Sequence, residues 1–179
     1  AFLSLFLGRY TVSPWDVVEI LAQKITGRSE NTVNTTVIWD IRMPRILLAM
    51  LAGAGLSVSG AAFQGCFHNP LVSPDMLGVS AGAGFGAALG ILLTNETGAF
   101  TAGLSFAMGL SSVFLSWFLS RIRKDGGTLS LVLAGVIVSA VFNALISFVK
   151  LVADTDSQLP AITFWLMGSL NGTTFRVLA

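Results

Sequence analysis

Long apolar stretches alternate with short polar or proline-containing segments along the chain. Crossing a bilayer as a helix takes about 20 mostly apolar residues, and four stretches are long enough. We predict membrane-spanning helices at about 44–66, 75–94, 99–121 and 128–150. The sequence opens inside another apolar run, 1–9, which we interpret as the remainder of a first span.

Two further segments are predicted to be helices that do not cross. Ser13 as N-cap and Pro14 in the first turn predict a helix over 14–26. Its apolar residues fall on one face, which is typical of a helix lying at the membrane interface. The polar run 27–36 that follows is predicted to be an aqueous loop. A short surface helix is predicted at about 159–169.

Composition places the chain in the membrane. Of its 179 residues, 54% are hydrophobic and 11% are charged, and the mean hydropathy is +0.80. A soluble domain carries about 25% charged residues, so this chain lacks the charge to cover a water-facing surface. The net charge of +1 gives no field that would attract nucleic acid. We therefore predict an all-α, polytopic transmembrane helix bundle that contacts the lipid bilayer and binds no nucleic acid.

Small residues recur every four positions in two of the predicted spans. This spacing places each set on one helical face, and small residues let helix backbones approach closely in lipid. We predict that both sets pack helices together, as a multi-helix bundle requires. The sets are Gly53, Ser57, Ala61 and Gly65, and Gly78, Gly82, Gly86 and Gly90.

One pentapeptide has the pattern of a hydrolase. The sequence GVSAG at 78–82 matches the G-x-S-x-G nucleophile elbow, in which a serine sits on a strand-to-helix turn beside a base. An intramembrane serine hydrolase using Ser80 is therefore the alternative function. Against it, Ser80 lies in a predicted helix, and the only histidine of the chain, His68, stands at a helix end. One histidine also provides too few ligands for a zinc site, and we predict no metal centre.

Three polar residues at or within the apolar runs have two interpretations each. Asn143 lies near the middle of the last predicted span, where it either bonds to another helix or lines a pore. Arg42 and Arg45 flank the first long run. They either anchor the helix by reaching the lipid headgroups, or form a forked patch for carboxylates of another protein.

The sequence around the two arginines resembles a known family. Three pieces of 42–84 carry the likeness: R-x-P-R, then G-A-x-L-x-x-S-G-x-x-x-Q, then N-P-L-x-x-P-x-x-L-G-x-S-x-G-A. LVLAGVIVSAV at 131–141 and FWLMGSL at 164–170 extend it. The chain resembles the FecCD/BtuC-type permeases of ATP-driven importers for iron-siderophores, haem and vitamin B12. Such a permease has about ten spans, of which about five are covered here. One departure is His68, where the family usually has arginine.

The resemblance implies a transport subunit of the bacterial cytoplasmic (inner) membrane that has no catalytic residue and no cofactor of its own. Its expected partners are two ATP-binding subunits, an extracytoplasmic substrate-binding protein and a second permease subunit, identical or different. The resemblance makes Arg42 and Arg45 docking residues for the binding protein. It places a cytoplasmic gate at Asn69, Pro70, Leu71 and Thr128.

Orientation cannot be taken from the charges alone. The family arrangement puts the basic segment 121–127 inside, as the positive-inside rule favours. It also puts Arg42 and Arg45 outside, which the rule disfavours. Docking gives these two arginines a separate reason to be outside, so we predict the family orientation.

Overall fold

All regular secondary structure is helical in the residues that the structure describes. The structure is a computed structural model and describes residues 12–27, 32–70, 72–122, 128–170 and 172–175. This confirms the predicted all-α class, while the run 1–9 and Leu71 lie outside the described residues. The main helices are α1 (Pro14–Ile25), α2 (Met43–Phe67), α3 (Val79–Thr94), α4 (Ala99–Ile122), α5 (Thr128–Val152) and α6 (Gln158–Met167).

Within the described ranges, three helical stretches are long and apolar enough to cross a membrane: Val33–Phe67, α4 and α5. Helix α3 is apolar but has only 16 residues. A helix of that length rises about 24 Å, less than the roughly 30 Å of a bilayer core. The sequence predicted that this span begins at 75, but Pro74–Leu77 forms a 3₁₀ turn and Gly78 has a φ of +78°. The α-helix begins only after this left-handed residue, which turns the chain.

The described residues divide into two compact units, residues 12–58 with 170–175 and residues 59–169. In the first unit, α1 buries Val17 and Ile20 against Val12 and Ile38. The ring of Trp39 lies 5.5 Å from that of Phe175, and the Lys24 ammonium lies 5.8 Å from the Trp39 ring centre. The apolar cluster and the Lys24–Trp39 contact therefore hold α1 to the segment before α2, and the Trp39–Phe175 contact joins residues 172–175 to that segment.

The helix that carries the arginines begins earlier than predicted. The run 27–36 was expected to be a loop, but the chain is helical from Val33 onward. The reason is a cap: the hydroxyl of Thr32 accepts a hydrogen bond from the backbone N–H of Thr35 at 3.3 Å. This turn continues into a π-helix, Thr36–Arg42, and then into α2.

The π-helix adjoins a proline in the helix interior. The backbone N–H of Met43 donates to the carbonyl of Ile38, five residues earlier. Pro44 comes next and has no N–H to donate. A π-helical turn contains one residue more than an α-helical turn. The hydrogen-bond register of the helix therefore changes just before Pro44, which cannot donate the ordinary helical bond. Arg42 is the last residue of this turn.

Packing in the second unit centres on α3, which contacts α4, α5 and α6. A Cβ atom built on Gly82 would lie 2.6 Å from the Met108 carbonyl oxygen and 2.8 Å from Ser112 Cβ. A Cβ atom on Gly86 would lie 2.8 Å from Ser105 Cα. These separations are too short for real atoms, so only glycine allows the backbones of α3 and α4 to touch.

The 3₁₀ turn before α3 is held between α4 and α5. A Cβ atom on Gly135 of α5 would overlap the Met76 carbonyl oxygen, and a Cβ atom on Gly78 would lie 2.8 Å from Ser139 Oγ. On the other side, the buried hydroxyl of Ser116 donates to the Leu77 carbonyl oxygen at 2.9 Å. The turn is therefore fixed by backbone contact with α5 and a hydrogen bond from α4.

The Ser116 hydrogen bond predicts a measurable cost of substitution. Ser116→Ala removes the donor and leaves the buried Leu77 carbonyl oxygen without it, which costs about 1–3 kcal/mol. We expect a lower midpoint in thermal unfolding of the protein in detergent. Ser111→Ala is the matched control, because the exposed Ser111 hydroxyl donates only to the Ala107 carbonyl in its own helix. Equal midpoints for the two variants would contradict this role.

The segment after α5 is tied to the end of α3. The Gln158 side-chain amide donates to the Leu92 carbonyl oxygen at 3.2 Å and to Asn95 Oδ1 at 2.5 Å. In the turn before α6, Asp154 Oδ1 accepts hydrogen bonds from the Ser157 hydroxyl at 2.7 Å and its backbone N–H at 2.8 Å. The hydroxyl bond is the main reason why the pKa of Asp154 lies below its usual value. This carboxylate is therefore a structural acceptor within its own loop.

Candidate functional site

The two predicted docking arginines lie where the π-helix passes into α2. Arg42 and Arg45 are both half-buried, and Asp40 beside them is exposed. The Nε atom of Arg45 is buried and has no hydrogen-bond partner among the described residues. Three positions separate the two arginines, so they lie about one turn apart on the same side. Their docking role remains a prediction.

The predicted gate residues Asn69 and Pro70 form the turn after α2. His68 has a left-handed φ of +49°, and the backbone N–H of Asn69 donates to the Gln64 carbonyl oxygen at 3.3 Å. The Gln64 side chain donates to the Pro70 carbonyl oxygen at 3.1 Å. The turn is thus closed by its own hydrogen bonds, with His68 at the helix end. The other two gate residues are Leu71, outside the described residues, and Thr128, the exposed first residue of α5.

The two small-residue sets have different surroundings. In α3, Gly82, Gly86 and Gly90 are buried, and Cβ atoms there would fall within 3.0 Å of α4 atoms. In α2, Gly53 and Gly65 have no atom within 4 Å of such a Cβ among the described residues, and Ser57 and Ala61 are exposed. The set on α2 therefore faces open space in the structure, and its packing role remains a prediction.

The hydrolase interpretation is not supported. Ser80 is the second residue of α3, preceded by a 3₁₀ turn, and no strand occurs in the described ranges. The strand-to-helix elbow that exposes a nucleophile is therefore missing from this part of the chain. Ser80 does face a cavity, but none of the described residues lining it is a histidine.

A substitution at Ser80 tests this conclusion. Ser80→Ala keeps a small side chain at an exposed position, so we expect the free energy of unfolding to change by no more than about 0.5 kcal/mol, the range of ordinary surface substitutions. A fluorophosphonate probe should leave wild-type protein unlabelled. Labelling that disappears in Ser80→Ala would restore the hydrolase interpretation.

A cavity of about 500 Å³ lies along α5 and is lined by several polar side chains. Its α5 wall includes Ser139, Asn143, Ser147 and Lys150. These positions are spaced by four, four and three, which places them on one helical face. Ile146 of the same helix also lines the cavity, and the remaining wall is formed by Asp75, Ser80, Ala81 and Leu166. Of these residues, the sequence had singled out Asn143 as a pore-lining candidate.

The other polar residues that line this cavity (the α5 groove) were not predicted to share it with Asn143, although a signal was present. Ser139 and Ser147 resemble ordinary small residues of a span, and Lys150 resembles the charge that ends it. Only their spacing of three or four residues along the helix could have shown that these positions share one face with Asn143. Asp75 belongs to the 3₁₀ turn, and its approach to α5 depends on the glycine contacts at Gly78 and Gly135.

Comparison with known proteins settles the family. The profile of the FecCD transport family matches residues 1–179. The chain belongs to the FecCD transport family. This FecCD chain is 43% identical to the molybdate import system permease protein MolB of Haemophilus influenzae over 180 residues, 99% of the chain and 52% of MolB. It is 35% identical to the vitamin B12 import system permease protein BtuC of Escherichia coli over 176 residues, 97% of the chain and 49% of BtuC.

A solved structure agrees with the fold of the FecCD chain. An inward-facing structure described as a putative metal-chelate type ABC transporter matches with a TM-score of 0.77 and 34% identity, over 98% of this chain and 51% of that one. The predicted BtuC-like fold and the location in the bacterial inner membrane are confirmed. The chain spans about half the length of the curated relatives it matches.

Proposed function

We propose that the FecCD chain is part of the permease subunit of a binding-protein-dependent, ATP-driven importer. The observation that carries this proposal is the family match over all 179 residues. The polar groove on α5 supports it, because polar side chains within a span need water, a ligand or another helix. ATP hydrolysis belongs to the two ATP-binding partner subunits, and the permease forms and breaks no covalent bond.

The cargo is proposed to be an iron-siderophore chelate, because such chelates are the commonest cargo of the family that the motifs resemble, with haem and cobalamin as related chelates. The solved metal-chelate type transporter is consistent with that class. A molybdate-type oxyanion is a second candidate, because MolB is 43% identical to this chain against 35% for BtuC. Each of these cargos holds its metal inside a chelate or an oxyanion. The chain itself therefore does not need to coordinate the metal.

The contacts within the second unit indicate how the permease would move. Backbones touch where α3 meets α4 at Gly86 and where α5 meets the 3₁₀ turn at Gly135. Interfaces this close resist sliding, since any shift brings backbone atoms into collision. We therefore propose that these helices tilt as one body when the ATP-binding subunits close, which changes the access to the groove from one side of the membrane to the other.

The function class is tested by ATP hydrolysis of the complete complex. The full-length permease and its ATP-binding subunits are placed in nanodiscs, and hydrolysis is measured with and without the binding protein. We expect a severalfold stimulation by the binding protein, because docking selects the conformation that brings the ATP-binding subunits together. A rate independent of the binding protein would contradict the proposal. Affinities of the binding protein for a ferric siderophore, molybdate and cobalamin then identify the cargo.

A further inference from the structure

The polar face of α5 contains two side chains that have no bonding partner among the described residues. The hydroxyls of Ser139 and Ser147 donate within their own helix, to the carbonyl oxygens of Gly135 at 2.8 Å and Asn143 at 3.0 Å. The Asn143 amide and the Lys150 ammonium make no hydrogen bond or ion pair with a described residue, and both line the same cavity. An amide in mid-span without a partner costs several kcal/mol in hydrocarbon, so this face requires water, a ligand or another part of the complex.

The charges along the cavity are separated. Among the described lining residues, Lys150 is the only cation and Asp75 is the only carboxylate. Asp75 belongs to the turn that packs against Gly135 and Ser139, whereas Lys150 follows Ser139 by eleven residues, about 16 Å along the helix axis. Charges this far apart in water attract each other weakly. The end of the groove at Lys150 is therefore locally positive.

Three more carboxylates lie in the loops that follow α3 and α5, but none lines the cavity. Glu96 follows α3, and Asp154 and Asp156 follow α5. Asp154 is already engaged as the acceptor of its own turn. None of these loop carboxylates lines the cavity, so Lys150 is the only charge of the described lining residues at this end of the groove.

We infer that the α5 groove is a water-filled passage in which Lys150 favours anions, making it a specificity-determining residue for anionic cargo. This inference rests on the proposed function and narrows its substrate class to oxyanions and negatively charged metal chelates. The ammonium can form charge-assisted hydrogen bonds to anionic oxygen atoms, and Asn143, about two turns away on the same face, can donate further ones. The opposing interpretation is a lysine that only reaches the lipid headgroups.

The first test needs no cargo and no ATP. Ser147→Cys is introduced into the full-length complex in nanodiscs after replacement of its native cysteines, Cys66 among them. Ser147 lies three residues from Lys150, about 5–6 Å away on the same face. The labelling rate of the introduced thiol is measured at low ionic strength with an anionic sulfonate-bearing and a cationic trimethylammonium-bearing methanethiosulfonate. The readout is the ratio of the anionic to the cationic rate.

We expect the Ser147→Cys thiol to be labelled when Lys150 is present, and this ratio to fall three- to tenfold when Lys150→Met is added. A unit charge at this distance changes the local concentration of each reagent about threefold in water, in opposite directions for the two signs. Arg121→Met is the matched control, because it removes an exposed cation of the same unit that stacks on Trp117 outside the groove. The control should leave the ratio unchanged. No labelling, or a ratio insensitive to Lys150, would overturn the inference.

The second test measures uptake into proteoliposomes of molybdate, a ferric tris-catecholate chelate and neutral cobalamin, each with a matching binding protein. For an anion that the wild type imports, Lys150→Met should raise the KM about tenfold, while Lys150→Arg should restore it. Molybdate and the chelate separate a small oxyanion from a bulky anion. If the wild type imports cobalamin but neither anion, the specificity inference is wrong and the importer function stands. If nothing is imported, the proposed function fails, and the labelling ratio still decides the role of Lys150.

Discussion

Gly86→Leu is expected to abolish the folded permease. Even the first atom of a side chain at Gly86 would lie 2.8 Å from both the Leu104 carbonyl carbon and Ser105 Cα. Backbone cannot rotate away as a flexible side chain can, so α3 and α4 must separate. Overpacking typically costs about 1–3 kcal/mol, and the rest of the leucine side chain enlarges the same collision. Total stability is only about 5–15 kcal/mol, so we expect little monodisperse protein in detergent.

The control for Gly86 lies on α4 itself. A Cβ atom at Gly103 meets nothing within 4 Å in the described part of the chain, so Gly103→Leu should give near wild-type yield. Gly86→Ala should fall between wild type and Gly86→Leu, because it adds only the first clashing atom. Yield and size-exclusion profile of the full-length protein provide the measurement. Normal profiles for both Gly86 variants would show that the α3–α4 contact is not required.

Reversing both arginine charges, Arg42→Glu with Arg45→Glu, is expected to weaken binding-protein association more than about tenfold. The proposed partners of these arginines are carboxylates of the binding protein, and like charges across an interface cost several kcal/mol. Arg→Lys at either position should weaken binding less, because lysine keeps the charge and loses only the planar fork. Affinity is measured with the full-length permease complex in nanodiscs at two salt concentrations.

Salt dependence distinguishes docking from anchoring. Charges at an interface rim are screened over about 8–10 Å at 0.1–0.15 M salt, so the wild-type affinity should fall with added salt and that of the reversed pair should not. Arg121→Glu is the matched control, since this exposed arginine lies at the end of α4, in the segment 121–127 predicted to be cytoplasmic. Equal, salt-independent affinities for wild type and the reversed pair would leave Arg42 and Arg45 as membrane anchors.

Periodicity and apolar length predicted much of the helical framework. The spans predicted at 44–66, 99–121 and 128–150 correspond to α2, α4 and α5, because each is a continuous apolar run that ends in polar residues or glycine. The start of α3 was misplaced because an apolar run does not reveal a 3₁₀ turn followed by a left-handed glycine. The cap at Thr32 was overlooked because polar composition made 27–36 look like a loop.

The groove could be predicted only in part. Asn143 was noticed because a polar amide in mid-span is unusual. Lys150 looked like a residue that merely ends a span, since its position in the sequence does not show that it shares a cavity with Asn143 and Asp75. That cavity depends on how closely α5 approaches the 3₁₀ turn at Gly135. This tertiary contact has no counterpart in local periodicity.

Uptake into proteoliposomes is the decisive test of the proposed importer function. The full-length permease with its ATP-binding subunits is reconstituted, and the radiolabelled cargo selected by the binding protein is supplied on the binding-protein side. We expect accumulation above the external concentration only when ATP is present on the opposite side and the binding protein is added. Equal uptake without ATP, or without the binding protein, would contradict it.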